Sequence, residues 1–258
     1  MTHILKRVLR LSVRFLLLAV VIWCATEVAW RNYAPTSKPL PRQEVWAHRC
    51  FSPLYLENTI AGLRYNVAAG AKGIEMDVFY DDSLQNFVVS HEFPYLKADG
   101  KLLLLREVFE NIKDSTQYWL DFKNLSYNNQ KNADKVLTEL VNSHQLANKV
   151  FIESHKGWLL RGLCHPPLRT IYWAYYENRP PIFQPLKIWS MKLLLMTSDF
   201  DALDTFYDSA DDRYRAIFDK YPTFICYANG ETEVKNSLKR ANLVAVLVDS
   251  SQYFRYNK

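Results

Sequence analysis

Short apolar runs rich in β-branched and aromatic residues recur from Val45 onward. They are VWAH (45–48), GIEMDVF (73–79), FVVSH (87–91), YWLDF (118–122), KVFIES (149–154), TIYWAYY (170–176), TFICYA (223–228) and LVAVLVD (243–249). Helical patterns lie between most of them, at 57–69, 104–112, 129–144, 157–163, 210–221 and 231–240. Near-continuous apolar strands that alternate with helices predict a parallel sheet covered on its outer face. Eight such strands is the number that closes a TIM barrel, so a single (β/α)8 barrel is expected. The open doubly wound sheet is the alternative. It calls for a Gly-rich turn after the first strand, where this chain has His48-Arg49-Cys50-Phe51-Ser52-Pro53. The stretch 182–206 fits the alternation least. It reads as an amphipathic element touching lipid, through Trp189, Lys187, Lys192 and the leucines at 193–195, or as ordinary barrel packing, the commoner case.

The N-terminus follows a different pattern. Residues 15–25, FLLLAVVIWCA, are unbroken apolar sequence, and Lys6, Arg7, Arg10 and Arg14 precede them. Extended over 11–30, the run reaches the ~20 residues that a membrane-spanning helix needs. Arg14 can snorkel to the headgroups, and Trp23 and Trp30 suit an interfacial belt. A cleaved signal peptide has a similar start, but no small-x-small site precedes a polar segment, which favours an uncleaved anchor. The basic tip places the N-terminus in the cytoplasm and the body across the membrane, on the periplasmic face of the inner membrane if the chain is bacterial. Residues 31–42, with Pro35, Pro39 and Pro41, read as an extended linker. The expected organisation is therefore a tip and anchor at 1–30, a linker at 31–42 and a barrel at 43–258.

Composition narrows the function classes. The net charge is +5, and the first fourteen residues hold four of those charges and no acid. The folded body is then close to neutral, which argues against nucleic-acid binding. The four cysteines, Cys24, Cys50, Cys164 and Cys226, have no C-x-x-C spacing. Zinc and thioredoxin-type readings fail on that count, and free thiols are expected rather than a Cys164–Cys226 bridge. Aromatic residues make up 14% of the chain, suiting an aromatic-lined cleft or a membrane-proximal surface.

The candidate chemistry sits at strand ends, where a TIM barrel places its active site. The first run ends in His48-Arg49. The second carries Glu75 and Asp77, two apart and so on one face. The third ends in His91-Glu92, the fourth carries Asp121 and Lys123, and the fifth ends in Glu153-Ser154-His155. Ionisable groups inside apolar strands are costly without partners, so their recurrence from strand to strand points to a site. Glu75, Asp77 and Asp121 offer oxygen ligands suited to Mg²⁺ or Ca²⁺. Two histidines beside such an ion suggest an acid and a base, and Arg49 and Lys123 suit an anion such as phosphate. Together they fit displacement at a phosphodiester.

AHR at 47–49, ENT at 57–59, GAKGIEMDV at 70–78, VVSHE at 88–92 and LDFK at 120–123 occur in that order. In this the chain resembles the glycerophosphodiester phosphodiesterases, which belong to the phospholipase-C-like TIM-barrel phosphodiesterases. The likeness is strong over 45–123 and fainter at FIESH (151–155), ICYAN (225–229) and LVAVLVDS (243–250). The resemblance implies His48 and His91 as the acid/base pair, Glu75 and Asp77 as metal ligands, and Asp121 where the family has a third ligand, a Glu. It further implies Arg49 on the phosphate and Glu57 at the edge of the site, where Glu57 would otherwise serve to cap the first helix.

The chain also departs from the family pattern. Cys50 stands where the family has Gly, Glu92 where it has Asp, and Asp82-Ser83 where it has Asp-Gly. The family's long insertion after the second His is nearly absent at 93–103, which implies an open cleft suited to a lipid-bearing substrate. The implied activity is metal-dependent cleavage of glycerophosphodiesters or lysophospholipid head groups by a membrane-anchored enzyme that binds no nucleic acid. A catalytically weak or inactive barrel that binds lipid head groups is one alternative. A sphingomyelinase-D-like lipid phosphodiesterase is the other, and the Glu57-Asn58-Thr59 motif argues against it.

Overall fold

The computed structural model describes residues 3–36, 38–97, 100–174, 181–207, 219–228 and 230–257. In chain order the elements are α1 (His3–Asn32), β1 (Glu44–Ala47), α2 (Ile60–Ala68), β2 (Gly73–Asp81), β3 (Asn86–Val89), β4 (Leu103–Leu104), α3 (Leu105–Ile112), β5 (Gln117–Phe122) and α4 (Gln130–Ser143). They continue with β6 (Val150–Ser154), α5 (Gly157–Leu160), β7 (Arg169–Trp173), α6 (Gln184–Met196), β8 (Ala202–Thr205), β9 (Thr223–Ile225), α7 (Glu231–Leu238) and β10 (Leu243–Val248). The chain divides into two compact units, Met1–Pro35 with Tyr176–Ser198, and Thr36–Tyr175 with Asp199–Lys258.

The larger unit is a closed eight-stranded parallel barrel. β2, β5, β6, β7, β8, β9 and β10 pair in that order, β10 pairs with β1, and Ala47 opposite Ile74 closes the ring. Helices follow the strands because each strand is apolar on both faces and must be covered outside as well as filled inside. The filling is aromatic. Trp46 meets the edges of Trp119, Phe151 and Phe224, with ring centroids 6.5, 5.7 and 5.4 Å away. Each such ring contributes roughly 1.5–3 kcal/mol on full burial. Only a glycine fits at 73, because a Cβ there would lie 2.1 Å from the Trp46 ring. Asp77 lies opposite Asp121 across the β2–β5 ladder, and Asp121 opposite Glu153 across the β5–β6 ladder, so three carboxylates share one level.

In the smaller unit α1 holds Leu5–Asn32, whose most apolar 18-residue stretch has a mean hydropathy of 2.1, long and apolar enough to cross a membrane. α6 packs on it. Trp23 and Trp189 stack with centroids 5.8 Å apart. Lys192 Nζ reaches both Glu27 carboxylate oxygens, at 2.7 and 2.6 Å. The Tyr33 hydroxyl donates to the Leu195 carbonyl at 3.1 Å. The ion pair lets two charged residues lie in an apolar helix pair without an unpaired charge.

Three expectations from sequence are corrected. FVVSH is not a barrel strand. Its core, β3, turns back antiparallel on β2, and β4 pairs antiparallel with β3. The stretch 182–206 is not uniform barrel packing: α6 packs with α1, whereas β8 is a barrel strand and makes up the eight. The first barrel helix begins at Ile60, with the Thr59 side chain accepting from the Gly62 amide, so Glu57 does not cap it. Most of the expected helix at 210–221 falls outside the described residues. All four cysteines are free thiols.

Candidate active site

The C-terminal ends of the barrel strands enclose a cavity of about 350 Å³. That volume is within the range of small-molecule sites. His48, Arg49, Glu75, Asp77, Asp121 and Lys123 all line it.

The loop after β1 sets the first two side chains. Arg49 and Cys50 both hold left-handed backbone, at φ 46° and 51°. That conformation is costly for a residue with a Cβ. The turn aims the Arg49 amide at Glu75 Oε2, to which it donates at 2.8 Å. Cys50 itself is buried, and burial and the Glu75 charge push its thiol well up, which leaves it unreactive.

His48 Nδ1 is 2.7 Å from Asp249 Oδ1, on the residue just after β10. An ionised carboxylate can only accept, so Nδ1 carries the proton, and Nε2 faces Glu75 Oε2 at 4.0 Å. Burial works to lower the His48 pKa. The Asp249 hydrogen bond and the Glu75 and Asp249 charges outweigh it, and the value is raised.

Glu75, Asp77 and Asp121 bring one carboxylate oxygen each to within 4.8 Å of one another. Cations of the chain stand among them. Lys123 Nζ lies 2.7 Å from Asp77 Oδ1 and also bonds Asp121. Arg49 Nε is 3.2 Å from Asp77 Oδ2, and Asn58 donates to the same oxygen at 3.4 Å. Glu75 lacks so close a cation. Burial first, then repulsion from Asp77 and Asp121, raises it to about 8. This donor set is all carboxylate oxygen, part-buried and convergent, and it fits a hard divalent cation.

Glu57 sits at the rim, 4.0 Å from Arg49 Nη1. His91 follows β3, and the Ser90 amide donates to the Asp77 carbonyl at 3.0 Å, so residue 91 lies next to the end of β2. The His91 side chain is not among those lining the cavity; its Nδ1 is 3.9 Å from Glu92. Two acids, Asp249 and Asp204, are absent from the sequence-derived site, and Glu153 appears there only as a strand end with no role assigned. Asp249 has a sequence signal, an Asp directly after an apolar strand. Asp204 lies on β8, the strand that the hydrophobic pattern does not reveal.

No protein-family model matches the chain, and no curated protein matches it in sequence. Solved structures do match. A glycerophosphodiester phosphodiesterase from Thermotoga maritima aligns with TM-score 0.62 at 22% identity, covering 86% of this chain and 100% of that one. A glycerophosphodiester phosphodiesterase from Parabacteroides distasonis aligns with TM-score 0.65 at 15% identity, covering 82% and 94%. A phosphodiesterase from Oleispira antarctica, solved with the product sn-glycerol-3-phosphate, aligns with TM-score 0.63 at 19% identity, covering 84% and 96%. The barrel thus has the fold of these phosphodiesterases.

Proposed function

We propose that the chain is a divalent-metal-dependent phosphoric diester hydrolase of the glycerophosphodiester phosphodiesterase family, cleaving glycerophosphodiesters or lysophospholipid head groups. The observation that carries this reading is the meeting of Glu75, Asp77 and Asp121 within 4.8 Å, beside the His48–Asp249 pair, on a shared phosphodiesterase fold. Mg²⁺ or Ca²⁺ held by those three carboxylates would offset their repulsion and, when bound, polarise a phosphoryl oxygen. Arg49 and Lys123 flank the same position. Arg49 Nε is buried with no well-aligned hydrogen-bond acceptor, which suits a phosphate oxygen arriving there. His48 Nε2 is the atom placed to take or give a proton. His91 takes the second acid/base role on the family resemblance, and Glu57 steadies Arg49 from the rim. The test is release of choline, ethanolamine or glycerol phosphate from a diester panel by the full chain in detergent, with and without chelator. Metal-restored turnover is expected; no turnover on any diester at any metal concentration sinks the reading.

We further propose that 1–30 anchors the chain, 31–42 links it and the barrel at 43–258 lies outside the cytoplasm. Support comes from the apolar α1 and from the basic residues confined to its start. A reporter fused after Lys258 is expected to be active only beyond the membrane, and activity restricted to the cytoplasm overturns the topology.

A further inference from the structure

The exposed apolar surface of the larger unit is unevenly placed. Among the described residues, its exposed large apolar side chains all stand at the end of the barrel that holds the cavity, and the segments that lead into the strands at the other end carry none. Leu54 and Leu56 follow β1, Tyr127 follows β5 and Trp158 follows β6. Phe93 and Leu96 follow β3, which runs back until Val89 pairs with Val78. Between them the Tyr95 hydroxyl donates to Asp81 Oδ2, at the outer end of β2, at 3.0 Å. These six apolar side chains are 53–83% exposed. Apolar residues scattered singly over a surface are ordinary, but that rule does not confine them to one end.

The exposure is built into the loops. Ser52 Oγ accepts from the Leu54 and Tyr55 amides at 3.2 and 2.9 Å, and Asn66 Nδ2 donates to the Cys50 carbonyl at 3.1 Å. Ser90 Oγ donates to the Glu92 carbonyl at 2.8 Å and accepts from the Leu96 amide at 3.0 Å. Turning the side chains inward breaks these bonds. The loops therefore hold apolar groups in water at a hydrophobic cost, and an apolar partner removes it.

The kind of partner follows from charge, shape and reach. Within two residues of the six positions the acids and bases are Glu57, Glu92, Lys97 and Lys156, two of each sign. No single-sign field selects a charged partner there. The six side chains belong to four separate loops, which suits a fluid apolar layer that needs no matching shape. Leucine with Phe, Tyr and Trp is the composition favoured where head groups meet acyl chains. The same chain carries α1, long and apolar enough to cross a membrane. Residues 33–43 join it to β1 and span at most about 40 Å, so a bilayer holding α1 is within reach of the barrel.

We infer that the cavity end of the barrel docks on the surface of a bilayer, its collar of Leu and aromatic side chains dipping among the head groups. This is a membrane contact of the barrel itself, separate from α1. It takes the nearness of a bilayer from the proposed anchor and makes no use of turnover, so it fails or stands apart from the phosphodiesterase reading.

The test is photocrosslinking of the full chain reconstituted in phosphatidylcholine vesicles. A benzophenone amino acid is placed singly at 54, 93 or 158 in the collar. It is also placed at 72 or 147, exposed positions on the segments that lead into β2 and β6, and at 17 in α1. Severalfold more lipid adduct is expected at 54, 93 and 158 than at 72 and 147. The double substitution Leu54→Ser with Phe93→Ser is expected to lower the adduct at 158 severalfold without moving the melting temperature, because both side chains are exposed. Equal adduct at the two ends of the barrel overturns the inference, as does an adduct at 158 that the double substitution leaves unchanged. A crosslinked dimer in place of lipid adduct at the collar also overturns it, and makes this face a contact between copies. Adduct at 17 with none at the collar overturns the docking and leaves the anchor standing. Adduct at the collar with none at 17 supports the docking and counts against the anchor alone.

Discussion

His48→Ala is expected to cut turnover by ~10²–10⁴-fold, the usual cost of losing a positioned acid or base. The expectation rests on placement. His48 Nδ1 is held by Asp249 at 2.7 Å, so the ring is oriented before substrate arrives and Nε2 is directed at the carboxylate cluster. Asp249→Asn separates orientation from charge. It keeps a side chain of the same shape but removes the main group that raises the His48 pKa. The pH limb of kcat that reports His48 should then move to lower pH. The sign for stability follows the same cause. A histidine with a raised folded pKa contributes stability that is complete below its unfolded value of ~6.5 and is lost as pH rises through the folded value. Near-normal kcat in His48→Ala, measured on a diester that the unmodified chain turns over, removes His48 from the chemistry.

Lys123→Met is expected to give the second large effect, with opposite responses to metal. Asp77 is 1% exposed, and the Lys123 ammonium bridges it to Asp121. Burial works against the Lys123 charge, yet Asp121 and Asp77 raise its pKa well above the ordinary lysine value. Removing one member of a fully buried pair costs ~3–5 kcal/mol. Lys123 keeps 24% exposure, and Arg49 remains beside Asp77, so the lower end, about 3 kcal/mol, is expected. A divalent cation can take over the neutralising role. The melting temperature should therefore fall in chelator, and added Mg²⁺ or Ca²⁺ should raise it more in Lys123→Met than in the unmodified chain. Turnover should stay low at saturating metal, because one phosphate donor is gone. An unchanged melting temperature, or equal metal responses in the two proteins, refutes this account of the cluster.

Much of the barrel could be read from the chain because parallel strands buried on both faces are apolar runs. The two misplacements have specific causes. Residues 79 and 87 are too close for a parallel crossover, which takes a dozen or more residues, so the short turn at 82–85 makes a hairpin. β8 escaped notice because Ala202–Thr205 is only four residues long, carries Asp204, and follows the more apolar α6. Asp204 lies on that strand and is hidden with it. Glu75, Asp77, Asp121 and Lys123 were legible because period-two spacing puts each pair on one face, and the family resemblance agreed with them. The His48–Asp249 contact joins residues 201 apart in sequence, and no local pattern encodes it.

The chain between β7 and β8 leaves the barrel for α6 and returns. The barrel is therefore tethered twice, once covalently through the 33–42 segment and once through α6, whose Trp189 and Lys192 hold α1 without a covalent bond. A single proteolytic nick before β1 leaves the second tether in place. A fragment shorn of α1 keeps α6 in its sequence, now with a buried lysine that has lost its carboxylate and a tryptophan that has lost its stacking partner. Detaching the catalytic body as a well-behaved soluble protein thus calls for excising the α6 excursion as well as the N-terminal helix.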